Sequence, residues 1–210
     1  MPGRWAIDIA PLFTIEATGA DVDVAGVDAL IFSSRNGVST FVQINDNRQC
    51  PAFCVGARTT EFAQKLGLTA EQAGTNVASL VQAMEGRPKM RFLHLHGVHT
   101  TGNLAARLEA LGHQVRQVQI YDQPACPLPP ETVTALTTGQ IHAATLFSPR
   151  TAELLLEQAG PMGLPPAMAL ICLSQAVAAV VEGKHSGPVI VCETPDEASM
   201  LSALQAFSGI

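Results

Sequence analysis

Short apolar runs that alternate with amphipathic stretches constrain this chain more than any other feature. Asp28–Ser33, Ala52–Val55, Phe92–Leu95, Ala143–Phe147, Ala167–Ile171 and Pro188–Val191 are apolar stretches of strand length without polar–apolar alternation. Such runs read as strands buried on both faces, as parallel strands are. Between them, Arg58–Leu66, Val77–Met84, Gly102–Leu111, Arg150–Gln158, Gln175–Val181 and Asp196–Phe207 carry apolar residues at three- and four-residue spacing and read as helices. The alternation predicts an α/β fold with parallel sheets and right-handed crossovers. Two longer stretches, Ala6–Glu16 and Gln114–Gln123, alternate more loosely, and Pro11 keeps the first out of a central strand.

The chain also repeats itself. Phe32–Val38 (FSSRNGV) resembles Leu146–Ala152 (LFSPRTA), Cys54–Thr59 takes the place of Ile171–Ala176, and Val77–Met84 (VASLVQAM) matches Glu197–Leu204 (EASMLSAL). The matches keep one order and nearly one spacing, which predicts two similar α/β halves. The two long extended stretches flank the first half and would pair as an antiparallel two-stranded connector. Residues 1–14 then belong with 120–210 in a discontinuous domain, and 15–119 form an inserted domain. One continuous sheet is the alternative that the pattern leaves open.

Composition narrows the function classes. The chain is 47% hydrophobic with a net charge of −6, which excludes disorder and gives no basic footprint for nucleic acid. An anionic ligand would have to be held by local donors rather than by a global field. The five cysteines form no C-x-x-C pair and read as reduced, buried small side chains, as expected of a cytoplasmic protein. His94, His96 and His99 have no cysteine or carboxylate at ligand spacing, so no metal is expected. The apolar run Ala167–Val181 is broken by Ser174 and Gln175 and is too short to span a bilayer, and no signal peptide is visible. Dinucleotide, P-loop, serine-hydrolase and zincin motifs are missing, and no cofactor is expected.

In open α/β sheets, ligands bind beyond the carboxyl ends of the strands. The residues there are Ser33, Ser34 and Arg35, then Arg58 and Thr59, then His96 to Thr101, then Ser148 and Arg150, and finally Ser174. Hydroxyls, arginines and helix N-termini suit carboxylates or phosphates. Serine and threonine before a helix also cap it, so either use fits these residues. His96 ends its strand and is the candidate site histidine, whereas His94 reads as a satisfied core or surface residue and His99 fits either role. Tyr121, the one tyrosine of the chain, closes the second extended stretch, where a phenol could donate a proton to a leaving group or serve as an amphipathic hinge residue.

These segments resemble uroporphyrinogen-III synthase, a family of tetrapyrrole biosynthesis. The resemblance is carried from about Ile9 to the C-terminus by Asp28–Val38, Val55–Thr60, His96-Gly97 with Leu104 and Leu108, Gly112–Tyr121 and Phe147–Arg150. It implies two α/β domains joined by a two-stranded linker, a cleft between them, and no metal or cofactor. It implies a lyase that cyclises hydroxymethylbilane, inverting ring D and losing water, to give uroporphyrinogen III for haem. A two-domain tetrapyrrole- or anion-binding protein without turnover is the alternative. The substrate loses its hydroxyl to give an azafulvene, which attacks a substituted ring-D carbon; a spiro intermediate fragments and recloses. The bilane closes without inversion in water, so the enzyme's task is chiefly orientation and exclusion of water.

Tyr121 matches the family's linker tyrosine, proposed to assist departure of the hydroxyl. Ser34, Thr59 and Ser148 match family hydroxyl positions lining the cleft. The resemblance also admits a transient hand-over from hydroxymethylbilane synthase. The family's opening strand, its Thr-Arg-Pro-like loop and the following helix are expected to be absent, because Met1 falls where the second strand begins. That expectation leaves a monomer or self-association through an incomplete domain as the oligomeric outcomes. His96 stands where the family often has arginine, and Leu173 and Ala176 replace its usual glycine and threonine, leaving Ser174 to serve.

Overall fold

Each of the six apolar runs contains most or all of a parallel strand. The computed structural model describes residues 5–99 and 102–208, and the chain divides into two compact units. One comprises Ile15–Pro124; the other comprises the residues up to Thr14 together with those from Ala125 onward.

The Ile15–Pro124 unit is built on a six-stranded sheet. Its strands are β1 (Glu16–Ala17), β2 (Ala29–Phe32), β3 (Ala52–Val55), β4 (Ala70–Gly74), β5 (Arg91–Gly97) and β6 (Gln114–Asp122), in the spatial order β1-β6-β5-β2-β3-β4. All pairings are parallel except β1 with β6. Helices α1 (Arg35–Ile44), α2 (Ala57–Lys65), α3 (Val77–Met84) and α4 (Leu104–Ala110) cover both faces. On one face Leu30, Phe32, Leu93 and Leu95 pack with Val38 and Phe41 of α1 and Ala63 of α2. On the other, Ala29, Ile31 and Phe92 pack with Leu80 and Met84 of α3 and Leu104 and Leu108 of α4. Successive residues of β2 therefore alternate between two cores, which is why the run shows no polar position.

The second unit repeats the plan with three parallel strands among the described residues, β7 (Ala143–Leu146), β8 (Ala169–Cys172) and β9 (Val189–Val191), in that spatial order. Its helices are α5 (Pro130–Thr137), α6 (Pro149–Ala159), α7 (Gln175–Val181) and α8 (Glu197–Ser208). Leu146, Leu170 and Cys172 pack with Leu154, Leu155, Val177 and Val181, and Leu12 joins that core. Ile171 packs on the opposite face with Met200 and Leu204. Leu170 is fully buried on the central strand. Leu170→Ala is expected to lower stability by about 2–5 kcal/mol, read as a lower midpoint in urea unfolding.

The two extended stretches pair antiparallel as expected, over a shorter span and with an added role for the second. Gln114–Asp122 is not only a linker strand: it forms nearly continuous parallel pairs with β5 and is integral to the six-stranded sheet. The first stretch contributes only the pairs Glu16–Asp122 and Ala17–Tyr121 and one bridge between Phe13 and Ala125. No helix among the described residues is long and apolar enough to cross a membrane.

Candidate active site

Parallel strands bring their carboxyl ends to one edge, and the expected site residues of the Ile15–Pro124 unit collect at that edge. β2 ends at Phe32, and Ser33 and Ser34 lead into α1. Ser34 takes extended backbone angles (φ −151°, ψ 155°), and its Oγ accepts the Gly37 N–H at 3.1 Å. That bond satisfies one of the unpaired donors of the first helical turn. Tyr121, near the end of β6, is 6% exposed, and its hydroxyl lies 3.0 Å from Ser34 Oγ.

Gly97, which closes β5, makes this contact sterically accessible. The β5–β6 register shifts between His96 and Gly97 and sets Gly97 opposite Tyr121, while the Val98 N–H donates to the Tyr121 carbonyl at 3.0 Å. A Cβ on Gly97 would stand 2.6 Å from Cε2 and Cζ of Tyr121 and 3.0 Å from its hydroxyl. Sequence reasoning gave Gly97 no role of its own. The available signal was a glycine closing an apolar strand, a mark of close approach.

His96 is buried, with Nδ1 2.8 Å from the Gly97 carbonyl oxygen, and its ring packs against His94 at 4.7 Å between centroids. His94 corrects the expectation of a satisfied histidine. It is 2% exposed, and neither ring nitrogen has a hydrogen bond of normal geometry. Burial chiefly, and the neighbouring His96, hold its pKa down at about 4, against a smaller upward pull from the Gln117 side chain. His99 is exposed, with Nε2 3.5 Å from the Asp122 carboxylate.

Arg35 opens α1 and is exposed; Arg58 and Thr59 lie in the first turn of α2, Arg58 exposed and Thr59 buried. Thr100 and Thr101, at the end of the His96–Thr101 segment, lie outside the described residues. Cys54, on β3 behind this edge, is buried, and burial pushes its thiol up to about 11 against a hydrogen bond from Thr60. Because the thiolate is the nucleophile and Cys54 is fully buried, alkylation of Cys54 in the folded protein should run at least about a hundredfold slower than in the unfolded chain, read by mass spectrometry.

The second unit repeats the serine cap. Ser148 adopts φ −153° and ψ 156°, within a few degrees of Ser34, and its Oγ accepts the Thr151 N–H at 3.1 Å. Its oxygen also lies 2.7 Å from the Thr151 hydroxyl. Arg150, in the first turn of α6, has its Nε buried without a hydrogen bond and its Nη1 3.8 Å from Glu153. Ser174 precedes α7 and makes no side-chain cap bond, so its half-buried hydroxyl remains uncommitted to the helix. Among the described residues, no group of three histidine, cysteine or acidic side chains could hold a metal ion.

A family model described as uroporphyrinogen-III synthase HemD matches residues 6–202. The chain belongs to the uroporphyrinogen-III synthase family. The fold is similar to that of uroporphyrinogen-III synthetase from Helicobacter pylori 26695, with a TM-score of 0.74 at 16% identity, covering 93% of this chain and 91% of that one. It is also similar to a mutant uroporphyrinogen III synthase from the extremely thermophilic bacterium Thermus thermophilus, with a TM-score of 0.59 at 17% identity, covering 95% of this chain and 86% of that one. At such identities the likeness concerns the fold. Nothing among curated proteins matches the chain.

As a uroporphyrinogen-III synthase, the protein is a cofactor-independent lyase of haem biosynthesis. It cyclises hydroxymethylbilane with inversion of ring D and loss of water. That reaction calls for a proton at the departing hydroxyl and for donors to many carboxylates. The strand-end edge of the Ile15–Pro124 unit holds a buried phenol beside a helix N-terminus, a serine pair and an exposed arginine.

Proposed function

We propose that Tyr121 is the group that protonates the departing hydroxyl of hydroxymethylbilane. The observation that carries this reading is the buried phenol at the end of β6, held 3.0 Å from Ser34 at the carboxyl edge of a parallel sheet. In the step, the bond between the methylene carbon and its oxygen breaks, the oxygen leaves as water with the phenol proton, and the azafulvene cation remains on the bilane. The phenolate recovers a proton when the last pyrrole sheds one on regaining aromaticity, so the cycle closes without an external acid.

In this reading the substrate carboxylates are held by Ser33, Arg35, Arg58, Thr59 and His96 and by the free N–H groups of the helix that Ser34 caps in the Ile15–Pro124 unit, and by Ser148, Arg150 and Ser174 in the other. Helix N-termini and hydroxyls serve this purpose on a protein of net charge −6. The bilane closes on its own in water, so a short path from hydroxymethylbilane synthase and a cytoplasmic location fit the same reading.

The test is product analysis. Freshly prepared hydroxymethylbilane incubated with the protein should give predominantly isomer III after oxidation and chromatography. Single Ala variants at Ser33, Thr59 and Ser148 should raise KM by about threefold to tenfold each while leaving the isomer ratio in place. Isomer I alone, formed at the rate of the unaided reaction, would overturn the assignment.

A further inference from the structure

The contact between Ser34 and Tyr121 allows either hydroxyl to donate, and the bonds next to it favour one sense. A serine hydroxyl offers one proton and two lone pairs. Ser34 Oγ accepts the Gly37 N–H at 3.1 Å, and the phenol oxygen of Tyr121 lies 3.0 Å away. If Tyr121 donated to Ser34, the phenol proton would be engaged on an oxygen that already accepts. In the opposite sense, Ser34 donates to Tyr121 and the phenol keeps its proton for an outside acceptor. The sequence Gly37 N–H to Ser34 O–H to Tyr121 O–H then runs head to tail, and each bond polarises the next. Gly37 lies in the first turn of a ten-residue helix, so the positive end of its dipole acts in the same direction.

Gly97 acts from the other side. The ring edge of Tyr121 occupies the space that a side chain at Gly97 would fill, with Cε2 and Cζ 2.6 Å from an ideal Cβ. The register shift at His96–Gly97 and the Val98–Tyr121 backbone bond hold the two strands in that relation. A methyl at this point must push the ring and its hydroxyl away from Ser34.

We propose that Ser34 and Gly97 are positioning residues for the Tyr121 hydroxyl: Ser34 donates a hydrogen bond to it, and Gly97 leaves the space in which its ring is seated. This assigns the Ser34 hydroxyl to Tyr121 rather than to a substrate carboxylate. The inference rests on Tyr121 as the proton donor, and its test separates the two.

Tyr121 is the single tyrosine of the chain. Protein made with tyrosine carrying carbon-13 at Cζ therefore gives one resonance that reports hydrogen bonding at the phenol oxygen, without substrate. Ser34→Ala should move that resonance and lower kcat about tenfold with KM nearly unchanged. Ser34→Thr, which keeps both the cap and the donor, should restore both. Ser34→Asp keeps the helix cap but cannot donate, and it should move the resonance although α1 remains capped. Gly97→Ala should move the resonance and lower kcat as well; if that variant fails to fold, the Ser34 series decides alone. The proposal is overturned if the resonance stays at the parent position in Ser34→Ala and Ser34→Asp, or if Ser34→Ala raises KM while leaving kcat intact. Full activity of Tyr121→Phe would instead overturn the acid role and leave the resonance shifts standing.

Discussion

Tyr121→Phe is expected to lower kcat for uroporphyrinogen III formation by about a hundredfold or more, the range in which a positioned general acid contributes. The substitution removes one oxygen and keeps the ring, which packs in the core formed by Leu30, Phe32, Leu93 and Leu95. The fold should persist, with Ser34 still capping α1. KM should change little, because carboxylate contacts are made elsewhere. The product ratio is the sharper measurement. Bilane that is not turned over escapes and closes in water without inversion, so the variant should shift the mixture towards isomer I. A variant that matches the parent in both rate and isomer ratio would remove Tyr121 from the chemistry.

How much of this was legible in the sequence differs between elements for physical reasons. β3, α3 and α7 have the bounds that their apolar spacing implies, Ala52–Val55, Val77–Met84 and Gln175–Val181. In α3 the start is marked by a reciprocal capping box between Asn76 and Ser79. α1 was hidden: its sequence RNGVSTFVQI carries Gly37 and the β-branched Val38, Thr40 and Val42, all weak helix formers. It forms because Val38 and Phe41 are fully buried against the sheet. β4, AEQAG, shows no apolar run because it is an edge strand paired only to β3. Of the site, Ser34 and Tyr121 stood out singly. Their contact spans 87 residues of chain and depends on a one-residue shift in β-register, which no local pattern reports. The repeat is visible in the matched backbone angles of Ser34 and Ser148, since a serine between a strand and a helix enforces one local geometry.

His94 yields the second large effect, and it concerns stability rather than turnover. The side chain lies on the same sheet face as Phe92, two residues earlier, its ring packs on that of His96, and neither of its buried nitrogens has a hydrogen bond of normal geometry. Its folded pKa is about 4, with burial the main cause, while an unfolded histidine titrates near 6.5. Between those values the unfolded chain binds the proton and the folded one does not, so stability rises with pH across that window. The contribution is complete above about pH 6.5 and is lost as pH falls towards about 4. At about 1.4 kcal/mol per pKa unit it amounts to about 3 kcal/mol. A second acid-sensitive group acts in a separate window. Asp28, bonded to the Arg91 side chain at 2.8 and 3.2 Å and to its N–H at 2.7 Å, is held down at about 2 and loses its advantage only as pH falls from near 4 towards that value. Urea unfolding at pH 7 and pH 4.5 therefore isolates the histidine. The parent should lose about 2–3 kcal/mol between them, whereas His94→Leu should lose much less. The variant should also be at least as stable as the parent at pH 7, because it removes two buried nitrogens without partners and replaces them with apolar surface. An unchanged loss in His94→Leu would assign the acid sensitivity to other groups and leave the buried imidazole without energetic consequence.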